Sequence, residues 1–286
     1  MKTILEQMVE NYEINNNEEK RNAVKEVMQE IVLCGLSKAG FFKEAAFYGE
    51  TALRIFYGLD RFSEDLDFAL IVKNCDFNLN SYFSKLESTV NSFGLKVGLE
   101  LKSKTKDSDI QSAFLKGDTV EHFLLLYPND KIVGINPDEK IKIKIDTCPP
   151  ALAAYETKYR LLPTPYSVKI YDEASLFSGK IHAVLCRAWK ARVKGRDLYD
   201  YVFYLQRNAR FNLPHLNEKL RESLYISKGE VLTLEEVKQL LIKRFDEIDF
   251  DEAKKDVMPF IKNKEILEIW SDEFFIDITE QLRCND

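Results

Sequence analysis

Asp65 and Asp67 flank a single leucine in the segment RFSEDLDFAL. Along a β-strand, residues two apart point to the same face, so this spacing sets two carboxylates side by side. Such a pair repels unless a cation lies between them. Hard oxygen donors of this kind suit Mg2+, which keeps waters and phosphate oxygens as its remaining ligands. The same spacing also occurs on the wet face of an edge strand, where acids are merely solvated.

The residues just upstream weigh on that choice. In YGETALRIFYGLDRFSEDLDFAL, Gly49 follows a short apolar run and precedes a helical one. A glycine there lets backbone N–H groups approach a ligand closely, and a helix N-terminus favours anionic phosphate. A phosphate-binding turn and a carboxylate strand would then be neighbours in sequence.

A second concentration of charge lies in SLFSGKIHAVLCRAWKARVKGRDLYDYVFYL. Lys180, Arg187, Lys190, Arg192, Lys194 and Arg196 follow one another with no acid between Lys180 and Arg196. Read as one helix over 176–194, the segment puts Ile181, Val184, Leu185 and Ala188 on an apolar stripe. Lys180, Arg187 and Lys194 then recur on another face. A solvated helix face usually mixes signs, so a stripe of one sign suggests contact with a polyanion: triphosphate at one end, RNA phosphates along Lys190, Arg192 and Lys194. Asp197 and Asp200 follow on the next helix, and Asp197 could simply sit at its positive end.

These elements need a scaffold, and the remaining pattern supplies one. Residues 2–37 read as largely helical, with Asn17 as a cap and Val24, Val27, Met28 and Ile31 at helical spacing. Strands are expected at Ala45–Tyr48, Asp65–Val72, Lys96–Ser103, Val120–Tyr127 and Lys140–Asp146, with helices at Thr51–Tyr57 and Phe83–Phe93. The run KIKIKID alternates lysine with isoleucine, so one face is wet and the other buried. From Ala174 onward the chain reads as helical throughout. The expected class is α+β: a mixed β-sheet flanked by helices over 1–165, then a helical bundle over 166–286. The boundary is placed at Pro163–Pro165, where LLPTPYS interrupts the pattern.

The first charged segment resembles the first two motifs of the nucleotidyltransferase superfamily that includes DNA polymerase β. More closely, YGETALRIFYGLDRFSEDLDF is similar to the GGTAL…R-x-S-x-D-x-D-F signature of the AbiEii/AbiGii toxin family (DUF1814), and KIHAVLCRAWKARVKGRDLYDYVFYL is similar to its second half. The resemblance implies a nucleotidyltransferase-like fold and transfer of NMP from an NTP to an RNA acceptor, with tRNA a natural choice. It also implies a toxin role countered by a separate antitoxin. It assigns Mg2+ or Mn2+ to Asp65 and Asp67. It gives the nucleotide to Gly49, Glu50, Thr51, Arg61, Ser63, Lys180, Arg187, Arg196 and Asp197, and makes Asp200 a base or organiser of the helical domain's share of the cleft. Superfamily members often add a third carboxylate from a later strand. Asp146 is the candidate, with Lys144 on its face, although a strand-ending turn favours aspartate regardless of function. Glu50 departs from the pattern: relatives usually carry a second glycine or a serine there. A carboxylate at that place repels a triphosphate unless it turns away or meets the metal.

Composition bounds the alternatives. With 286 residues and a net charge of −6, the chain is long enough for a sizeable core and is not a generic polyanion binder. Five cysteines without a CxxC pair argue against a disulfide framework or zinc ribbon. His122, His182 and His215 lack ligand spacing. No run suggests a signal peptide or a membrane span, so a cytoplasmic protein is expected. Two other readings use the same residues: a degenerate nucleotidyltransferase fold that binds nucleotide or a partner, and a metal-dependent nuclease.

Overall fold

The structure is a computed structural model that describes residues 3–102, 110–117, 127, 140–187 and 193–285. The expected strand at Val120–Tyr127 therefore lies, apart from Tyr127, outside the described residues, as do His122, Lys190 and Arg192. The described residues fall into two compact units. The first comprises 1–52, 63–149 and 156–170; the second comprises 53–62, 150–155 and 171–286.

The first unit opens with α1 (Ile4–Val9) and α2 (Asn17–Lys38). Asn16, not Asn17, caps α2 by accepting the Glu19 N–H, since its extended backbone frees the side chain to turn inward. The chain continues through β1 (Ala45–Tyr48), α3 (Gly49–Tyr57), β2 (Leu66–Leu70), α4 (Phe83–Asn91), β3 (Val97–Leu101), β4 (Ile110–Gly117), β5 (Lys140–Asp146), β6 (Tyr155–Arg160) and β7 (Tyr166–Tyr171). The strands form one mixed sheet in the order β3-β4-β5-β2-β1-β7-β6. Strand β2 runs antiparallel to β1 and parallel to β5, which makes it central and explains its burial.

Alternation then separates two faces. Phe47, Leu66, Phe68, Ile143 and Ile145 are fully buried on one of them. Phe68 meets the rings of Phe41 and Phe47 at 5.0 and 5.1 Å between centroids, edge-on and tilted respectively. Helices α2 and α4 approach so closely that a Cβ at Gly35 would come within 2.5 Å of Leu86 Cδ1. The opposite face carries Tyr48, Asp67 and Lys144 in register on β1, β2 and β5.

Strands β4, β6 and β7 went unread in the sequence: YETKYR is polar and part-exposed throughout, whereas YSVKIY does alternate, with Tyr166, Val168 and Ile170 buried, and that signal was missed. The proline-containing stretch 161–165 lies between β6 and β7, neighbours in the sheet. Its prolines mark a connection between strands, while the first unit runs on to Ile170.

The second unit holds α5 (Glu173–Cys186), α6 (Gly195–Gln206), α7 (Leu213–Glu222), α8 (Leu234–Phe245), α9 (Phe250–Val257) and α10 (Asp272–Thr279). A short parallel pair, β8 (Arg210–Phe211) and β9 (Arg283–Cys284), joins them. Its core is aromatic: Phe177 stacks on Tyr204 at 4.4 Å, and Phe211, Phe245 and Phe275 are fully buried. His215 is buried with Nδ1 2.7 Å from the Ala151 carbonyl, a core role and not a ligand's. All five cysteines are free. Among the described residues, no helix is long and apolar enough to cross a membrane.

Candidate active site

Asp65 stands just ahead of β2 and Asp67 lies within it. Both carboxylates reach the Lys144 ammonium on the adjacent strand. Asp65 Oδ2 pairs with Lys144 Nζ, and Asp67 Oδ1 lies 3.4 Å from it. The parallel register sets Asp67 beside Lys144 and Ala69 beside Asp146. Asp146 is thus one row further along, and its Oδ1 accepts the Cys148 N–H at 3.0 Å, closing a turn. Among the described residues, no three His, Cys, Asp or Glu side chains are grouped to hold a metal ion. Asp65 and Asp67 both face Lys144, which is the residue across from Asp67 on β5.

Charge and burial act together here. The Asp67 side chain is only 24% exposed. Burial pushes its carboxyl above the ordinary range; Lys144 pulls it back, while Asp65 and Glu50 add to the rise. Burial pulls the Lys144 ammonium down, but Asp67 and Asp65 outweigh that and leave it raised. The ion pair favours charge on both partners, and for Asp67 desolvation exceeds that gain. A further cation would relieve this strain. The donor set fits a hard divalent ion: two carboxylates from one strand, already converged on a single positive charge.

The turn before α3 is tied to this pair. Gly49 has φ +83°, a conformation that side chains rarely adopt. A Cβ there would sit 3.2 Å from Asp67 Oδ2. Thr51 is fully buried: its hydroxyl donates to the Asp65 carbonyl and lies 2.8 Å from the Ser63 hydroxyl. Gln29 on α2 donates to the Ser63 and Glu64 carbonyls, both at 2.9 Å. Thr51 and Ser63 thus latch the turn to the start of β2. Tyr48, beside Asp67 on β1, has its hydroxyl pushed far up by burial and by Asp67 and Asp146. Sequence reading missed Tyr48 and Gln29; no local spacing links them to the acids.

The second unit builds a separate charged network. Arg61 is fully buried and grips Asp200 with two hydrogen bonds of 2.6 Å. Lys180 Nζ lies 2.7 Å from both Asp197 Oδ1 and Asp200 Oδ2. Arg187 pairs with the remaining Asp197 oxygen and keeps 46% of its side chain exposed. Three cations thus meet two carboxylates that are themselves fully buried. Both Asp200 oxygens are occupied by cationic partners in this arrangement. Arg196 takes no part: it pairs with Asp256 at 3.8 Å and lies over the Phe260 ring.

The single basic helix expected over 176–194 does not form. Helix α5 stops at Cys186, and Arg187 is extended at ψ 130°. Arg244 seals that end by donating to the Val184 and Arg187 carbonyls. Lys194 stands at the cap of α6, so Lys180, Arg187 and Lys194 share no helix face. The helix ends at an extended Arg187, a break that periodicity alone does not register.

A family model described as "Nucleotidyl transferase AbiEii toxin, Type IV TA system" matches residues 31–273. No curated protein matches the chain significantly. Among solved structures, JHP933 from Helicobacter pylori aligns at 17% identity over 93% of this chain and 92% of its own, with a TM-score of 0.49. MenT4, the nucleotidyltransferase toxin Rv2826c from Mycobacterium tuberculosis H37Rv, aligns at 14% identity over 98% of this chain and 86% of its own, with a TM-score of 0.47. The family match spans most of the chain, including the Gly49 turn, the aspartate pair and the Lys180–Asp200 segment, and on it the chain belongs to the AbiEii family of nucleotidyltransferase toxins of type IV toxin–antitoxin systems.

Proposed function

We propose that this enzyme transfers the NMP of an NTP to a hydroxyl of an RNA acceptor, with tRNA the acceptor to test first, and that a separate antitoxin counters it. The observation that carries the reading is the convergence of Asp65 and Asp67 on one cation beside the Gly49 turn. Asp65 and Asp67 would hold Mg2+ or Mn2+, which supplies Lewis-acid neutralisation of phosphate charge. The N-terminus of α3 is oriented as helix N-termini that receive phosphate oxygens are. The Thr51–Ser63 latch keeps that turn and the carboxylates in fixed relation. The acceptor oxygen attacks the α-phosphorus and pyrophosphate leaves, so positioning and charge neutralisation carry most of the rate. In the helical unit, Asp197 and Asp200 hold Lys180 and Arg187 in place, and the exposed part of Arg187 is suited to phosphate.

The test is incorporation: purified full-length protein, total tRNA, Mg2+ and each α-labelled NTP in turn. Label on RNA with matching pyrophosphate release is expected. Shortened RNA without label would point to a nuclease; nucleotide binding without label would point to a non-catalytic binding module. The Gly49 turn gives a second check. Gly49→Ala should lower stability by about 1–2 kcal/mol through its left-handed φ, and should also cut transfer, because the methyl presses on Asp67. A Gly49→Ala protein with full transfer would mean the turn does not set the carboxylate.

A further inference from the structure

Lys144 contributes an ammonium to the carboxylate pair at the place where a metal would bind. It reaches Asp65 and Asp67 from the neighbouring strand, and its side chain is 28% exposed. Its register partner is Asp67, so the backbone pairing itself delivers the charge. An ammonium and a divalent ion cannot both hold the same oxygens at close range without repelling one another. A lysine is also free to move: its charge sits on a flexible four-carbon stem, unlike the fixed fork of arginine.

We infer that Lys144 is a tethered counter-ion that holds the Asp65–Asp67 pair ready when no metal is bound, and that metal entry displaces its ammonium toward solvent, where it can meet the phosphate that arrives with the nucleotide. Lys144 is therefore a positioning residue with two states. In one it prevents the two carboxylates from splaying apart; in the other it lends its charge to the incoming triphosphate. The metal binds in competition with it, so affinity for a divalent ion alone is held low. This rests on the assignment of the metal to Asp65 and Asp67, and deepens it.

The experiment reads Mn2+ binding to the full chain by electron paramagnetic resonance at pH 8, without nucleotide. Wild type, Lys144→Met, Lys144→Arg and the Asp65→Asn/Asp67→Asn double variant are compared. Lys144→Met should bind Mn2+ about tenfold more tightly than wild type, because the competing charge is gone, while Lys144→Arg should stay weak. Equal or weaker binding by Lys144→Met overturns the inference. If the double variant binds Mn2+ as wild type does, the metal assignment itself fails, and the two failures are thereby distinguished. A wild-type measurement guards against misfolding of the variants. Acetylation of Lys144 by a small reagent, followed by mass spectrometry, should speed up several-fold when Mg2+ is added. An unchanged or slower rate overturns the inference even if Lys144→Met does not fold.

Discussion

Asp65→Asn and Asp67→Asn should each lower nucleotide transfer by about 10³-fold, a loss of roughly 4 kcal/mol of transition-state stabilisation. Each change keeps the shape of the side chain and removes one of the two charges that face Lys144. The folded state should not suffer. The two acids raise each other's cost in a half-buried place, so removing one leaves Lys144 with a partner and relieves a repulsion. The expected signature is therefore lost transfer with an unchanged or slightly raised melting temperature. Steady-state incorporation beside thermal melting checks both halves. Transfer within a few-fold of wild type in either variant would sink the assignment of the pair to the metal.

The opposite signature is expected at Arg61. Its guanidinium and the Asp200 carboxylate are fully out of water and joined by two hydrogen bonds. Removing the guanidinium leaves Asp200 with Lys180 alone and one buried carboxylate oxygen without its donor, which costs about 1–3 kcal/mol. Arg61→Met should lower the urea midpoint of the helical unit accordingly. Asp200→Asn should be at least as damaging, because it leaves Arg61 and Lys180 both facing a neutral amide. Arg61→Lys should recover only part of the loss, since an ammonium cannot span both carboxylate oxygens as the guanidinium does. Tryptophan fluorescence during urea unfolding reads the result. A shift under about 1 kcal/mol for Arg61→Met would show that the pair is not the anchor its burial implies.

Comparison of these two sites shows what a sequence reveals and what it hides. The Asp65–Asp67 pairing and the Gly49 turn were legible because each depends on residues two to three positions apart, and strand and turn geometry fix such relations locally. The alternation of KIKIKID gave β5 its bounds to the residue, Lys140–Asp146. What alternation could not give was register: whether Lys144 or Asp146 lies beside Asp67 depends on how two distant strands pair. Arg61 reads in sequence as a phosphate-facing cation. Its actual partner stands 139 residues away, and nothing near Arg61 announces it. The basic run after Lys180 looked like one helix because lysine and arginine are good helix formers. In the fold that helix ends at Cys186, and Arg187 pairs with the buried Asp197.

The interleaved path of the chain has a consequence for how the toxin comes into being. Residues 53–62 belong to the helical unit, yet they are made before most of the sheet unit. Arg61 leaves the ribosome long before Asp200, and Asp65 before the Lys144 that steadies it, 79 residues later. The sheet unit has all its segments once residue 170 has emerged, whereas the helical unit combines 53–62 with 171–286 and cannot close until its late helices are made. Contacts of such long sequence separation close late and slowly. The nascent chain thus displays its aspartate pair before Lys144 arrives, midway along the sequence, and Arg61 waits longer still for Asp200. In a toxin built this way the sheet unit can assemble first, while Arg61 and its neighbours wait for helices that are made much later.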